Sequence, residues 1–258
     1  MRQTGVNLRF SFASQVIEVN TPSRAALLDR VAQRLAAGQG FALATINLDH
    51  LVKLSTSDRF RAAYAAQDLV VADGNPVVWL SRLAGRPVDL VPGSDLVLPL
   101  ARVAEANGAT VALLGSTEDA LAAAASAMEA DVPGLRIVAR IAPRFGFDPE
   151  GPEADAILAT LRDSGVGLCF IALGAPKQEV LAARGRVIAP GVGFASVGAG
   201  IDFLAGNQTR APAWVRKLAL EWLWRMLSAP RRLGPRYARC AAILPGQVAA
   251  ALALRRGG

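Results

Sequence analysis

Apolar residues along this chain gather into six short runs, at positions 41–46, 68–72, 110–114, 135–141, 167–173 and 191–197, separated by segments with helical periodicity. Such alternation predicts an α/β, Rossmann-like fold: a parallel sheet covered by helices on both faces. Near the start, Leu8-Arg9-Phe10-Ser11-Phe12 and Gln15-Val16-Ile17-Glu18-Val19 alternate with period two and predict a small N-terminal hairpin. Thr21, with Pro22 at the first helical position, predicts the cap of a helix that runs to about Ala37 and ends at Gly38 and Gly40.

In open sheets of this kind ligands bind beyond the carboxyl ends of the strands. Thr45 and Asn47, Asp73, Gly115 and Ser116, and Gly174 to Gln178 all fall at or just after such ends, and can converge on one crevice. Leu173-Gly174-Ala175-Pro176-Lys177-Gln178-Glu179 reads as a strand-to-helix turn. Gly174 lets backbone approach a ligand, Pro176 suits a first helical position, and the amides of the helix start favour an anion such as a pyrophosphate, with Lys177 and Gln178 beside it. Asp73 is either a proton acceptor at a strand end or the N-cap of the helix that follows. Thr45 and Asn47 offer neutral donors and acceptors, or cap the helix beginning near Leu48. Asp202 is either a turn former or an acceptor for a diol. Arg225 and Arg232, two helical turns apart, share a face; they are anion contacts or solvated, acid-paired side chains.

Charge divides the chain. From Gly206 to Gly258 ten basic residues stand against the single acid Glu221, a net +9 in a chain whose total is +7, so the first 205 residues carry −2. Trp214, Trp222 and Trp224 stand among leucines in this segment, a combination that suits an anionic membrane surface or a lipid pyrophosphate better than nucleic acid. A nucleic-acid-binding protein would spread its charge over the core as well, so no nucleic-acid partner is expected. The division expected is therefore residues 1–206 as the Rossmann-like domain and 207–258 as a basic helical C-terminal appendage. Cys169 and Cys240 make neither a disulfide framework nor a metal set, and His50, the only histidine, has no ligand partner at metal spacing. The start of the chain lacks a signal-peptide core, and no uninterrupted apolar stretch of about 18 residues occurs. Ala241 to Leu254 is apolar but broken by Pro245-Gly246, so peripheral attachment at the cytoplasmic face is expected.

Five segments in register carry a resemblance: Thr45-Ile46-Asn47, Val70-Val71-Ala72-Asp73-Gly74, Gly93-Ser94-Asp95-Leu96, Leu173 to Glu179, and Arg210-Ala211-Pro212 leading into Leu220-Glu221-Trp222-Leu223-Trp224-Arg225. In this order and spacing, from about Thr45 to Arg236, the chain resembles the WecG/TagA/CpsF family of bacterial glycosyltransferases. The resemblance implies an inverting, metal-independent hexosyltransferase without a cofactor. It would take a sugar from a UDP-sugar to a polyprenyl-pyrophosphate-linked saccharide in exopolysaccharide or cell-wall polymer synthesis. Asp73 would be the general base; Thr45, Asn47 and Gln178 would lie in the active site. Gly115, Gly174, Lys177 and Asp202 would bind the donor, with Asp202 at the ribose, and Arg225 and Arg232 would belong to a lid over the diphosphate. N-acetylmannosamine-type and other hexose donors both fit, as does homo-oligomerisation. The alternative is a nucleotide-sugar-binding regulator without catalysis, against which Asp73 argues. Three departures stand out: no Arg shortly before Gly93, with Arg86 nearby; Pro235 at the third lid position, with Arg236 one step on; and Gly146-Phe147-Asp148 where the family has a Tyr.

Overall fold

The computed structural model describes residues 7–12, 15–207, 211–212, 215 and 221–256; the side chains of Arg225, Ser228 and Arg232 lie outside the described set. Strands β1 (Leu8–Phe12) and β2 (Gln15–Val19) form the expected antiparallel hairpin, Leu8 opposite Val19 and Phe12 opposite Gln15. The six apolar runs supply six parallel strands: β3 (Phe41–Ile46), β4 (Leu69–Ala72), β5 (Val111–Gly115), β6 (Ile137–Ile141), β7 (Leu168–Ala172) and β8 (Gly193–Ser196). They lie in the order β4-β3-β8-β7-β5-β6. Five of them are buried almost throughout, which explains the continuous apolar runs; β6, at the edge, alternates between half-buried and exposed.

Helices α1 (Arg24–Ala36), α5 (Val97–Ala106) and α6 (Glu118–Asp131) bury Leu27, Leu100 and Met128 with Phe41, Leu113 and Phe170 of the sheet. On the other side, α7 (Pro152–Asp163) and α8 (Lys177–Ile188) set Leu158 and Leu181 against Leu114, Ile171 and Phe194. A third cluster joins the hairpin to α2 (Leu48–Thr56), α3 (Asp58–Ala65) and α4 (Asn75–Leu83) through Phe10, Leu51, Phe60 and Tyr64. Helix α9 (Gly200–Leu204) follows β8. The cap of α1 is Ser23, whose hydroxyl accepts from the Ala26 amide. Thr21 is engaged otherwise: its amide donates to the Val70 carbonyl and its hydroxyl to Asn20, while Arg30 donates to it at 2.7 Å.

The appendage contains α10 (Glu221–Ser228) and α11 (Pro230–Arg256). Helix α11 runs through both Pro235 and Pro245, so the expected break at Pro245-Gly246 is absent. Both prolines are exposed, so the carbonyls they leave without a helical donor face water. Leu233–Arg256 is long and apolar enough to cross a membrane by length and composition. Yet α11 lies along the domain. Arg236 Nε sits 3.1 Å from Asp49 Oδ1, Cys240 and Ala251 are buried, Ile243, Val248 and Leu254 join the third cluster, and the Arg255 stem lies beside Gly85.

Candidate active site

Register alone brings the first group together. Strands β3 and β4 pair Thr45 with Val71 and Ile46 with Ala72, and the Asp73 amide donates to the Ile46 carbonyl at 2.8 Å. Asp73, Thr45 and Asn47 therefore share one end of the sheet. Gly74, at φ +98°, turns the chain from β4 into α4 and occupies the cap position itself, so no side chain caps that helix. A Cβ on Gly74 would stand 3.7 Å from the Asn47 Cβ. Asn47 caps α2, its Oδ1 accepting from the His50 amide at 3.1 Å. Thr45 is buried, its methyl against Gly93 in the short 3-10 turn Gly93–Asp95 that leads to α5.

Beneath this group lies a polar knot that sequence reasoning did not assign. The Thr45 carbonyl accepts from the Tyr64 hydroxyl at 2.7 Å, and His50 Nδ1 lies 2.8 Å from both. Burial, reinforced by the charge of Lys53, pulls His50 down to about 4, so the ring is neutral at ordinary pH. Burial, with the charges of Glu179 and Asp73, pushes the Tyr64 hydroxyl well above its usual range.

The turn after β7 is pinned from α2. Lys53 Nζ donates to the Ala175 carbonyl at 3.1 Å and lies 2.8 Å from Asp49 Oδ2. Burial alone would raise the Asp49 carboxyl, but the hydrogen bond from Lys53 and the charge of Arg236 hold it below its ordinary value. Gly174 takes φ +71° with open space where its Cβ would be, so the turn, not crowding, requires glycine there. Pro176, behind a cis peptide bond, occupies the cap position of α8, one residue earlier than expected. Two amides of this helix start are already engaged: that of Gln178 donates to the Gly174 carbonyl, and that of Glu179 to its own carboxyl. Lys177 is half-buried. Asp148 lies within reach of its charge, and that carboxyl is held low by the Glu150 amide, then by Arg59, with Lys177 adding to the effect.

Gln178 and Glu179 are both buried, at 3% and 0% exposure. Glu179 is a further residue that sequence reasoning left without a role. Burial pushes its carboxyl up to about 7 against the opposing effects of Gln178, its own amide and Lys53. The third group sits between β5 and α9. Gly115 takes φ +108°, and a Cβ there would meet the Ala172 carbonyl carbon at 2.6 Å, so only glycine fits against β7. Ser116 follows at φ 58°, rare for a residue with a side chain, and its hydroxyl donates to Asp202 Oδ1. The Gly93 turn links the groups, since a Cβ on it would touch both Thr45 and Val197, and one on Gly200 would meet Ser94.

The structure thus gathers Thr45, Asn47, Asp73, Gly115, Gly174, Lys177, Gln178 and Asp202 at one end of the sheet. Arg225 and Arg232, as side chains, lie outside the described residues, as do Trp214 and Arg210. Arg86 lies on the loop after α4, and Arg236 is committed to Asp49 at the root of the appendage. Cys169 and Cys240 are both free and buried. Among the described residues no three His, Cys, Asp or Glu side chains are grouped as metal ligands. A groove of about 530 Å³ between α3 and α8, lined by Arg59, Arg184 and Val187, includes none of the candidate residues.

The chain is 28% identical over 200 residues to an N-acetylglucosaminyldiphosphoundecaprenol N-acetyl-beta-D-mannosaminyltransferase of Bacillus spizizenii, covering 77% of this chain and 75% of that protein. Residues 14–257 match a single family, spanning the sheet, the strand-end turns and both appendage helices, and the chain belongs to it: the glycosyl transferase WecG/TagA/CpsF family.

Proposed function

We propose that this glycosyltransferase transfers a sugar, with inversion, from a UDP-sugar to a saccharide carried on a polyprenyl pyrophosphate. The observation that carries the reading is the convergence of Asp73 with Thr45 and Asn47 at the paired ends of β3 and β4, in a chain of this family. The Bacillus relative, named for a diphosphoundecaprenol-linked N-acetylglucosamine acceptor, supports the lipid-linked substrate.

In this reading the Asp73 carboxylate takes the proton of the acceptor hydroxyl while that oxygen attacks the anomeric carbon. The bond from that carbon to the departing phosphate oxygen breaks, and its electron pair leaves with UDP. Thr45 and Asn47 orient sugar hydroxyls. Asp202, held by Ser116, accepts from the ribose diol, and Gly115 and Gly174 let the donor approach the backbone. Lys177, Arg225 and Arg232 meet the negative charge that develops on the diphosphate, a role a metal ion fills in other transferases.

Residues 207–258 then act as lid and membrane contact. Trp222, Trp224 and Leu227 of α10 are exposed, as an interfacial helix requires. Helix α11 touches the domain from Arg236 to Arg255, roughly 28 Å of helix. These contacts with the domain support peripheral attachment over a membrane span. A donor screen tests the function: UDP-N-acetylmannosamine, UDP-glucose and other UDP-hexoses are offered with a short-chain lipid-pyrophosphate saccharide. Transfer of one sugar with an inverted linkage is expected. Tight UDP binding without transfer from any donor would make the protein a binder, not an enzyme.

A further inference from the structure

Gln178 and Glu179 sit side by side at the start of α8, buried beneath the turns that follow β7 and β8. The Gln178 amide donates through Nε2 to Glu179 Oε1 at 2.8 Å. Its other end, Oε1, is buried and has no hydrogen-bond partner among the described residues. That oxygen lies 4.0 Å from where a Cβ on Gly198 would stand, so it faces the Val197–Gly200 turn across a position that carries no side chain.

The polarity of a glutamine amide is set by what its two ends meet. Glu179 Oε1 is the acceptor of this pair, which turns the amide nitrogen toward Glu179 and the carbonyl oxygen away from it. Glu179 is itself held from other elements. Gln67 of the α3–β4 connection donates to its backbone carbonyl at 3.1 Å, and its carboxyl interacts electrostatically with the Lys53 ammonium of α2 and the Tyr64 hydroxyl of α3.

We propose that Glu179 is a positioning residue that locks the Gln178 amide with its carbonyl oxygen toward the turn after β8. Residue 178 is thereby an acceptor for a hydroxyl or N–H of the sugar substrate, not a donor to a phosphate oxygen. This rests on the glycosyltransferase reading above and assigns Gln178 to the sugar within it. A buried carbonyl without a donor carries a desolvation cost that a substrate hydroxyl relieves, reaching it past Gly198. A phosphate oxygen, itself an acceptor, would be repelled.

Two variants of the full-length protein test this. Glu179→Gln keeps an acceptor oxygen; Glu179→Met keeps the volume and removes it. The Met variant should lose about 10- to 100-fold in kcat/KM, while its UDP affinity stays within about twofold and the Gln variant stays within about threefold of wild type. The Met variant's Tm should change little, because removal of a desolvated carboxyl offsets the loss of an acceptor for the Gln178 amide nitrogen. A merely structural Glu179 would instead lower Tm and UDP binding together. A second readout is independent of the reaction: the Gln178 side-chain NH2 pair in 15N spectra should be protected from exchange in wild type and Glu179→Gln and unprotected in Glu179→Met. Wild-type turnover in the Met variant, equal impairment in both, or an NH2 pair unchanged in the Met variant would overturn the proposal. Absence of transfer by the wild type with every donor, alongside the expected NH2 pattern, would overturn the glycosyltransferase reading and leave the amide lock standing.

Discussion

His50 and Glu179 are buried with opposite responses to acid, and this fixes how stability should vary with pH. His50 is lowered from 6.5 to about 4, so on acidification the unfolded chain takes a proton before the folded one does. Its contribution is present above 6.5 and lost as pH falls, at up to about 1.4 kcal/mol per pH unit, about 3 kcal/mol in all. Glu179 is raised from 4.5 to about 7, so the folded chain holds a proton that the unfolded one has released. Its contribution is complete below 4.5 and disappears as pH rises through 7, again about 3 kcal/mol. Across the shared window the two nearly cancel, and the wild-type protein should stay level to within about 1.5 kcal/mol. Glu179→Gln removes one side of the balance. Its urea-unfolding free energy, followed by tryptophan fluorescence, should fall on acidification from about pH 6.5 to about pH 4.5 at close to 1 kcal/mol per unit. Relative to wild type, the variant should gain about 3 kcal/mol between about pH 4.5 and about pH 8. The carboxyls held low, Asp49 among them, titrate below this window and do not blur it. Parallel curves for variant and wild type would show that Glu179 titrates normally and that the linkage argument is wrong.

Asp73→Asn should leave UDP affinity nearly intact and lower turnover by about 100-fold or more, measured at saturating substrate, since an amide cannot take the acceptor proton. Transfer should persist in excess EDTA; activity that is lost on chelation and restored by Mg²⁺ or Mn²⁺ would refute arginine stabilisation of the leaving group. Gly115→Ala should lower the urea midpoint by the equivalent of about 2 kcal/mol or more, because its Cβ would meet the Ala172 carbonyl carbon at 2.6 Å. Flotation with anionic liposomes should recover the protein at low ionic strength and release it in salt, while a chain ending near Asn207 should neither float nor turn over; flotation of the truncated chain would remove the appendage from membrane contact.

The sheet was legible because five of its strands are covered on both faces, and a strand of that kind can only be written as an unbroken apolar run. The site was legible as far as strand ends place it: Thr45, Asp73 and Gly115 follow directly from where the runs stop. What was missed depends on distant partners. Thr21 reads as a cap as well as Ser23 does, and only contacts with Val70 and Arg30 decide between them. Glu179 reads as a surface residue in a polar helix start. Its burial comes from Tyr64 and Gln67, more than a hundred residues earlier in the chain, and the lack of a clean apolar stripe in α8 was the only hint. His50, without a ligand partner at metal spacing, is packed in the core, and its bond to the Thr45 carbonyl could not be read from spacing. The break expected at Pro245-Gly246 is absent from α11, because an exposed proline leaves its freed carbonyl to water and the flanking turns keep their own hydrogen bonds.

Asp49 touches two cations with different masters. Lys53 carries its influence to the Ala175 carbonyl in the turn before α8, and Arg236 ties it to the appendage. One carboxylate is therefore a common ledge for the turn before α8 and the last helix of the chain, 126 residues of sequence from Ala175 and 187 from Arg236. Thermodynamic reciprocity applies to such an arrangement: whatever factor seating of the appendage contributes to ligand affinity at the turn, the ligand returns to the seating of the appendage. Under the proposed function, donor occupancy and membrane contact would share one equilibrium, and a change in lipid composition would register as a change in apparent affinity for the sugar nucleotide.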